Sequence, residues 1–198
     1  MMTLVEVGRA DLDAPVSQYL TRWQLPESPF DNGAVTIRRL LSHTAGLDDN
    51  LGFGEYALDE KLPSLETELK NPRASSGRDV SMAVATQPGD EWQYSGGGYL
   101  LIELLIEELT NKTYEDYVRE AVFEPLDMMH AGYDALDSYR NNAGLYSRDG
   151  RRVPSFQYAS SAATYGDGHL GYSDFLLLLL SFKNLSLRSL NLNRFFVD

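Results

Sequence analysis

The apolar positions of this chain fall into a few clear segments separated by long polar stretches. Ile37, Leu40 and Leu41 recur at i, i+3, i+4 behind Thr36, which predicts a compact helix capped by Thr36 and stopped near Gly46. Residues 99–109 are apolar on nearly every side except at Glu103, Glu107 and Glu108. This predicts a mostly buried helix on which the three carboxylates form one solvated stripe. Thr113 and Asp116 open a further helix to about residue 123, before Pro125. Residues 11–20 read as a short helix with Asp13 as N-cap, and residues 79–86 as another, halted by Gln87-Pro88-Gly89. Ser173 caps a last helix over 174–182.

Between these elements the pattern weakens. Residues 26–33 form a Pro/Ser/Asp/Asn/Gly loop, and 47–78 an extended surface excursion with about one helical turn. Residues 130–165 are loop-rich, with short strands expected near 143–147 and 151–158. The tail, 184–198, carries Leu185, Leu187, Leu190 and Leu192 at spacings that fit neither helix nor strand.

Composition narrows the classes of function. The 198 residues carry a formal charge of −12, which argues against general nucleic-acid binding. Cysteine is absent, so disulfides, thiolate chemistry and cysteine-based zinc sites are excluded. His43, His130 and His169 show no metal-ligand spacing, and no metal or cofactor is expected. For His43 the simplest role is a structural hydrogen bond at a helix end; His169 follows a turn, Gly166-Asp167-Gly168. No signal-peptide pattern opens the sequence, and the longest apolar run, residues 175–180, is far short of the roughly 20 residues a membrane span needs. The sequence assigns no compartment.

Four blocks in order carry a resemblance. They are Gly8-Arg9-Ala10-Asp11-Leu12-Asp13-Ala14-Pro15-Val16; Thr36-Ile37-Arg38-Arg39-Leu40-Leu41-Ser42-His43-Thr44-Ala45-Gly46-Leu47; Pro88-Gly89 followed by Tyr94-Ser95 and the apolar helix; and Phe123-Glu124-Pro125-Leu126-Asp127-Met128. Their order and spacing resemble the β-lactamase-related serine hydrolases, which include class C β-lactamases, D-Ala-D-Ala carboxypeptidases, D-aminopeptidases and related esterases. The match covers about residues 4–130, with a weaker echo over 168–182. Residues 1–198 are accordingly expected to be a single partial domain of that family.

The resemblance implies acyl transfer through a Ser-x-x-Lys nucleophile, a Tyr-x-Asn motif and a Lys/His-Thr/Ser-Gly strand. Lys61, Lys70, Lys112 and Lys183 are the four lysines, and Leu58, Thr67, Leu109 and Leu180 stand three residues before them. No Ser-x-x-Lys is therefore present, and Thr67-Glu68-Leu69-Lys70 is the nearest imitation. In the family that motif lies just upstream of the Gly8 block, so residues 2–6 match the last turns of its helix. The strand motif is likewise missing.

Tyr94-Ser95-Gly96 occupies the Tyr-x-Asn position. By resemblance Tyr94 is the candidate catalytic residue, and Ser95 and Gly96 the candidate substrate-binding residues, with Gly96 in place of an Asn donor. A phenol has a pKa near ~10, and only a nearby positive charge makes it a useful base, so Tyr94 also fits a packing tyrosine ahead of a helix. Gly96-Gly97-Gly98 lacks a following Gly-Lys-Ser/Thr and suits close backbone packing better than a phosphate cradle.

The fold expected is mainly α: the helical part of the α+β β-lactamase/transpeptidase-like fold, with most of its antiparallel sheet missing. The function expected is a truncated serine hydrolase of a lactam, D-amino peptide or ester, inactive as this chain. The alternative is a non-catalytic binding module using the remnant cleft. The partner is a small-molecule or peptide substrate in the intact family. The exposed apolar helix would also favour self-association or a complementing fragment, unless the tail leucines cover it.

Overall fold

The computed structural model describes residues 1–47, 56–72, 80–129, 131–133, 146–153 and 156–157. Helices predominate among them. The central element is helix α4, Gly97–Thr110, with α1 (Met2–Glu6), α2 (Ile37–Leu41), α3 (Leu65–Lys70) and α5 (Tyr114–Val118) as shorter pieces. Strands β1 (Tyr56–Ala57) and β2 (Phe156–Gln157) pair antiparallel, Tyr56 opposite Gln157 and Ala57 opposite Phe156.

Helix α4 is buried as its apolar sequence requires. Leu100, Leu101, Leu104 and Leu105 are all inaccessible to solvent, each worth about 1.5–3 kcal/mol relative to exposure. The helix packs against α2, α3 and α5. Asn111, at φ +55°, ends it by returning its N–H to the Glu107 carbonyl at 2.8 Å. The predicted caps hold elsewhere: the Thr36 hydroxyl accepts the Arg39 N–H, and Thr113 accepts that of Asp116. Past Val118 the chain widens into a π-type turn over Arg119–Phe123, then a 3₁₀ turn over Glu124–Leu126 containing Pro125.

Three expectations are corrected. Residues 11–20 are not a helix; only Val16–Gln18 form a single 3₁₀ turn. Tertiary partners take the backbone groups a helix would use. The Leu12 carbonyl accepts the Arg38 N–H at 2.9 Å, and the Val16 N–H reaches the Val35 carbonyl at 2.9 Å. Asp13 holds the Arg38 guanidinium through two bonds, 2.7 and 2.8 Å, instead of capping.

Residues 80–86 are not helical either. Met82 and Val84 are buried at period two, Val84 bridges Leu47, and the Ala85 and Thr86 N–H groups both donate to the Gly46 carbonyl. The third correction concerns the acidic stripe of α4, which faces inward. Glu103 is 6% exposed, and the Glu107 and Glu108 side chains 19% and 9%.

The excursion contains the expected helical turn: α3, capped by Ser64. Tyr146 bridges Arg152, and Gln157 anchors β2 by donating from its side chain to the Ala57 and Glu60 carbonyls, both at 2.8 Å. The helix expected over 174–182, the tail 184–198, His130 and His169 lie outside the described residues.

Candidate functional site

Tyr94 sits at the junction of two sequence blocks, in the extended segment that leads into α4. The first block contributes the end of α2. There His43 adopts φ +58° and Gly46 φ +72°, turning the chain sharply back towards residues 84–95. Gly46 is needed for a second reason: a Cβ at this position would lie 2.3 Å from the Thr86 carbonyl oxygen. Further along the same seam, the Gly89 N–H donates to the Thr44 carbonyl at 2.8 Å, and the Gln93 N–H to the His43 carbonyl at 2.8 Å.

The histidine ring completes this seam. His43 Nδ1 accepts the Ser95 N–H at 3.2 Å, and the ring packs against Tyr94 with centroids 4.7 Å apart. Tyr99 stacks on His43 at 5.4 Å, and Trp92, itself largely exposed, meets it edge-on at 5.9 Å. Tyr94 is half-buried among these groups.

Ser95 and Gly96 are buried. The Ser95 hydroxyl accepts the Gly98 N–H at 2.8 Å, which satisfies one of the unpaired donors at the start of α4. Gly96 has helical dihedrals, φ −71° and ψ −38°, and its carbonyl accepts from Tyr99 at 2.9 Å. A Cβ on Gly98 would touch the Ser95 hydroxyl at 3.1 Å and Leu40 at 3.5 Å, which supports the close-packing reading of the triple glycine. Thr67, of the nearest Ser-x-x-Lys imitation, lies in α3 with its hydroxyl bonded to that of Ser64 at 3.0 Å.

Two polar clusters escaped the sequence reading because their members are distant in the chain. In the first, the Glu108 carboxylate accepts from the Thr21 N–H at 2.9 Å, the Thr21 hydroxyl at 2.6 Å and the Arg22 N–H at 2.7 Å. Burial alone would raise this carboxyl; the three hydrogen bonds and the Arg22 charge outweigh it and hold Glu108 below the usual carboxylate range. Arg22 also pairs with Glu66 and Glu107.

In the second cluster, the Tyr133 hydroxyl approaches that of Tyr114 at 3.5 Å, and Phe123 stacks on Tyr133. Burial pushes both phenols upward, Tyr133 far above its ordinary range, and the buried Glu103 adds to the effect. An open groove of about 800 Å³ lies elsewhere, between residues 5–13, Tyr19 and Arg38, with the Asp13–Arg38 pair on its wall. Among the described residues no group of acidic or histidine side chains is placed to hold a metal, and no helix is long and apolar enough to cross a membrane.

These contacts join the sequence blocks in pairs: the Gly8 block to the Thr36 block through Leu12, Asp13 and Arg38, and the Thr36 block to the Tyr94 block through His43, Thr44 and Gly46. The beta-lactamase family profile matches residues 1–174. Over 173 residues the chain is 26% identical to PbpX of Bacillus subtilis (strain 168), covering 86% of this chain and 39% of PbpX. It superposes on the penicillin binding protein of Bacillus halodurans with a TM-score of 0.64 and 25% identity, over 93% of this chain and 55% of that one. The D-amino acid amidase of Ochrobactrum anthropi SV3 shares the fold at a TM-score of 0.65 and 23% identity, over 92% of this chain and 50% of its own. The chain thus spans between about two-fifths and just over half of these relatives. The blocks and their joints, the profile and the superpositions agree: the chain belongs to the beta-lactamase family.

Proposed function

We propose that this chain supplies the tyrosine-bearing helical wall of a serine acyl-transfer site that acts on a lactam, a D-amino peptide or an ester. In this reading Tyr94 handles a proton during acyl transfer, and Ser95 and Gly96 border the substrate. Among the described residues, paired strands are limited to the short β1 and β2. The observation that carries the reading is the seam at His43–Gly46, which fixes Tyr94 at the head of the buried helix α4.

Acyl transfer needs an activated nucleophile, and none of the four lysines has a serine three residues before it. Alone, therefore, the chain forms no acyl-enzyme. The apolar residues of α4 are buried against α2, α3 and α5, so the exposed apolar helix expected from the sequence is corrected: among the described residues this helix offers no apolar face for a second copy or a complementing segment. The purified chain, incubated with a chromogenic β-lactam and a p-nitrophenyl ester, is expected to give no turnover and no covalent adduct by mass spectrometry. Titration with a D-amino peptide is expected to perturb the amide resonances of Tyr94, Ser95 and Gly96. A covalent adduct overturns the claim of inactivity, and the absence of any perturbation at residues 94–96 overturns the assignment of the substrate wall.

A further inference from the structure

Resting on the reading of Tyr94 as a proton-handling phenol, we propose that His43 is its positioning residue. The imidazole is held with Nδ1 unprotonated and Nε2 carrying the hydrogen, and the residue, by ring and backbone together, clamps residues 93–95 at three points. The His43 carbonyl accepts the Gln93 N–H at 2.8 Å, Nδ1 accepts the Ser95 N–H at 3.2 Å, and the ring packs on Tyr94 between those two anchors. An Nδ1 that accepts an N–H cannot itself carry a proton, so the geometry selects one tautomer.

The far side of the segment is equally fixed. The Ser95 hydroxyl caps α4 at the Gly98 N–H, so the backbone next to Tyr94 is bonded to the helix on one side and to His43 on the other. The Tyr94 phenol therefore hangs from two immobilised neighbours. A group whose work depends on sub-ångström placement benefits from such support. The backbone of His43 lies at φ +58°, a region in which histidine, asparagine and aspartate are several-fold enriched but β-branched and bulky residues are outliers. Tyr99 adds a hydrogen bond from its hydroxyl to the Leu41 carbonyl at 3.4 Å, which ties one ring of the cluster back to α2.

The test uses the whole chain and needs no turnover, so it stands apart from the outcome with lactam or ester. Nitrogen-15 correlation spectra of the three histidines, with His43 identified by its loss in His43→Asn, are expected to show its hydrogen on Nε2. A hydrogen on Nδ1 in the unsubstituted protein overturns the proposal.

The variants then separate anchoring from packing. His43→Asn retains a side-chain acceptor and tolerates the positive φ, so Ser95 amide protection is expected to persist. His43→Phe keeps a ring but loses the acceptor and strains the positive φ; the Ser95 amide is expected to exchange about tenfold faster relative to the Gln93 amide, whose bond to the residue-43 carbonyl reports the strain alone. The fluorotyrosine resonance of Tyr94, assigned through Tyr94→Phe, should shift in His43→Phe and move back towards its original position in His43→Asn. A histidine that only stabilised the fold would leave Ser95 and Tyr94 no more affected in His43→Phe than the rest of the chain, and that result would sink the proposal.

Discussion

Gly46→Ala and Gly8→Ala form a matched pair that measures the worth of the seam behind Tyr94. Both glycines have φ +72°, but a Cβ at Gly8 meets nothing within 4 Å, whereas one at Gly46 lies 2.3 Å from the Thr86 carbonyl oxygen. The left-handed conformation costs an L-residue roughly 1–2 kcal/mol, and this part is common to both variants. An ordinary carbon–oxygen contact is about 3.3–3.6 Å, so at Gly46 the two strands of the seam must separate by about 1 Å. That movement weakens the bonds from the Ala85 N–H, at 2.7 Å, and the Thr86 N–H, at 3.2 Å, into the Gly46 carbonyl. Each is worth roughly 0.5–1.5 kcal/mol, so Gly46→Ala is expected to lose about 1–3 kcal/mol more than Gly8→Ala. Urea unfolding monitored by tryptophan fluorescence measures the gap; with slopes of about 1–3 kcal/mol/M, the Gly46→Ala midpoint should lie about 0.3–3 M below that of Gly8→Ala. Equal midpoints with unchanged slopes would refute the close-approach reasoning.

Glu108→Gln is expected to cost about 1.5–3 kcal/mol, because a half-buried carboxylate with three donors is replaced by an amide that can accept at only one oxygen. The Glu108 carboxyl is held below its unfolded value near ~4.3, so its stabilisation is present above that pH and lost as pH falls. Urea midpoints between neutral and acid pH should therefore fall less steeply in the variant. Tyr114 and Tyr133 give the opposite limb: both folded phenols are raised, so their stabilisation holds below the unfolded value near ~10 and is lost as pH rises above it. Phenolate absorbance should show two tyrosines that ionise only on alkaline unfolding, and Tyr114→Phe combined with Tyr133→Phe should remove them.

What the sequence made legible was local. Thr36 and Thr113 announce their helices because an N-cap bonds within its own turn, and α4 declares its burial because apolar residues encircle it. What it hid depended on distant partners. Residues 80–86 lost a helix to the Gly46 carbonyl, and residues 11–20 lost theirs to Val35 and Arg38. Glu107 and Glu108 looked solvated because Arg22, which pairs with both, and Thr21, which donates to Glu108, lie some 85 residues away. Tyr94 is proposed from the Tyr-x-Asn position it occupies by resemblance. His43 was read as a structural hydrogen bond at a helix end, which it makes, but its partner, the Ser95 amide, is 52 residues distant and left no mark in the local pattern.

The Glu108 anchor also sets an order of events at the ribosome. Thr21 and Arg22 are made 87 and 86 residues before the carboxylate that holds them. At synthesis rates of about 5–20 residues per second, they wait roughly 4–17 s for it. During that interval Thr21 and Arg22 lack the carboxylate that holds them. The bonds of residues 11–20 to Val35 and Arg38 can form early, and the Glu108 anchor of Thr21 and Arg22 can only follow them.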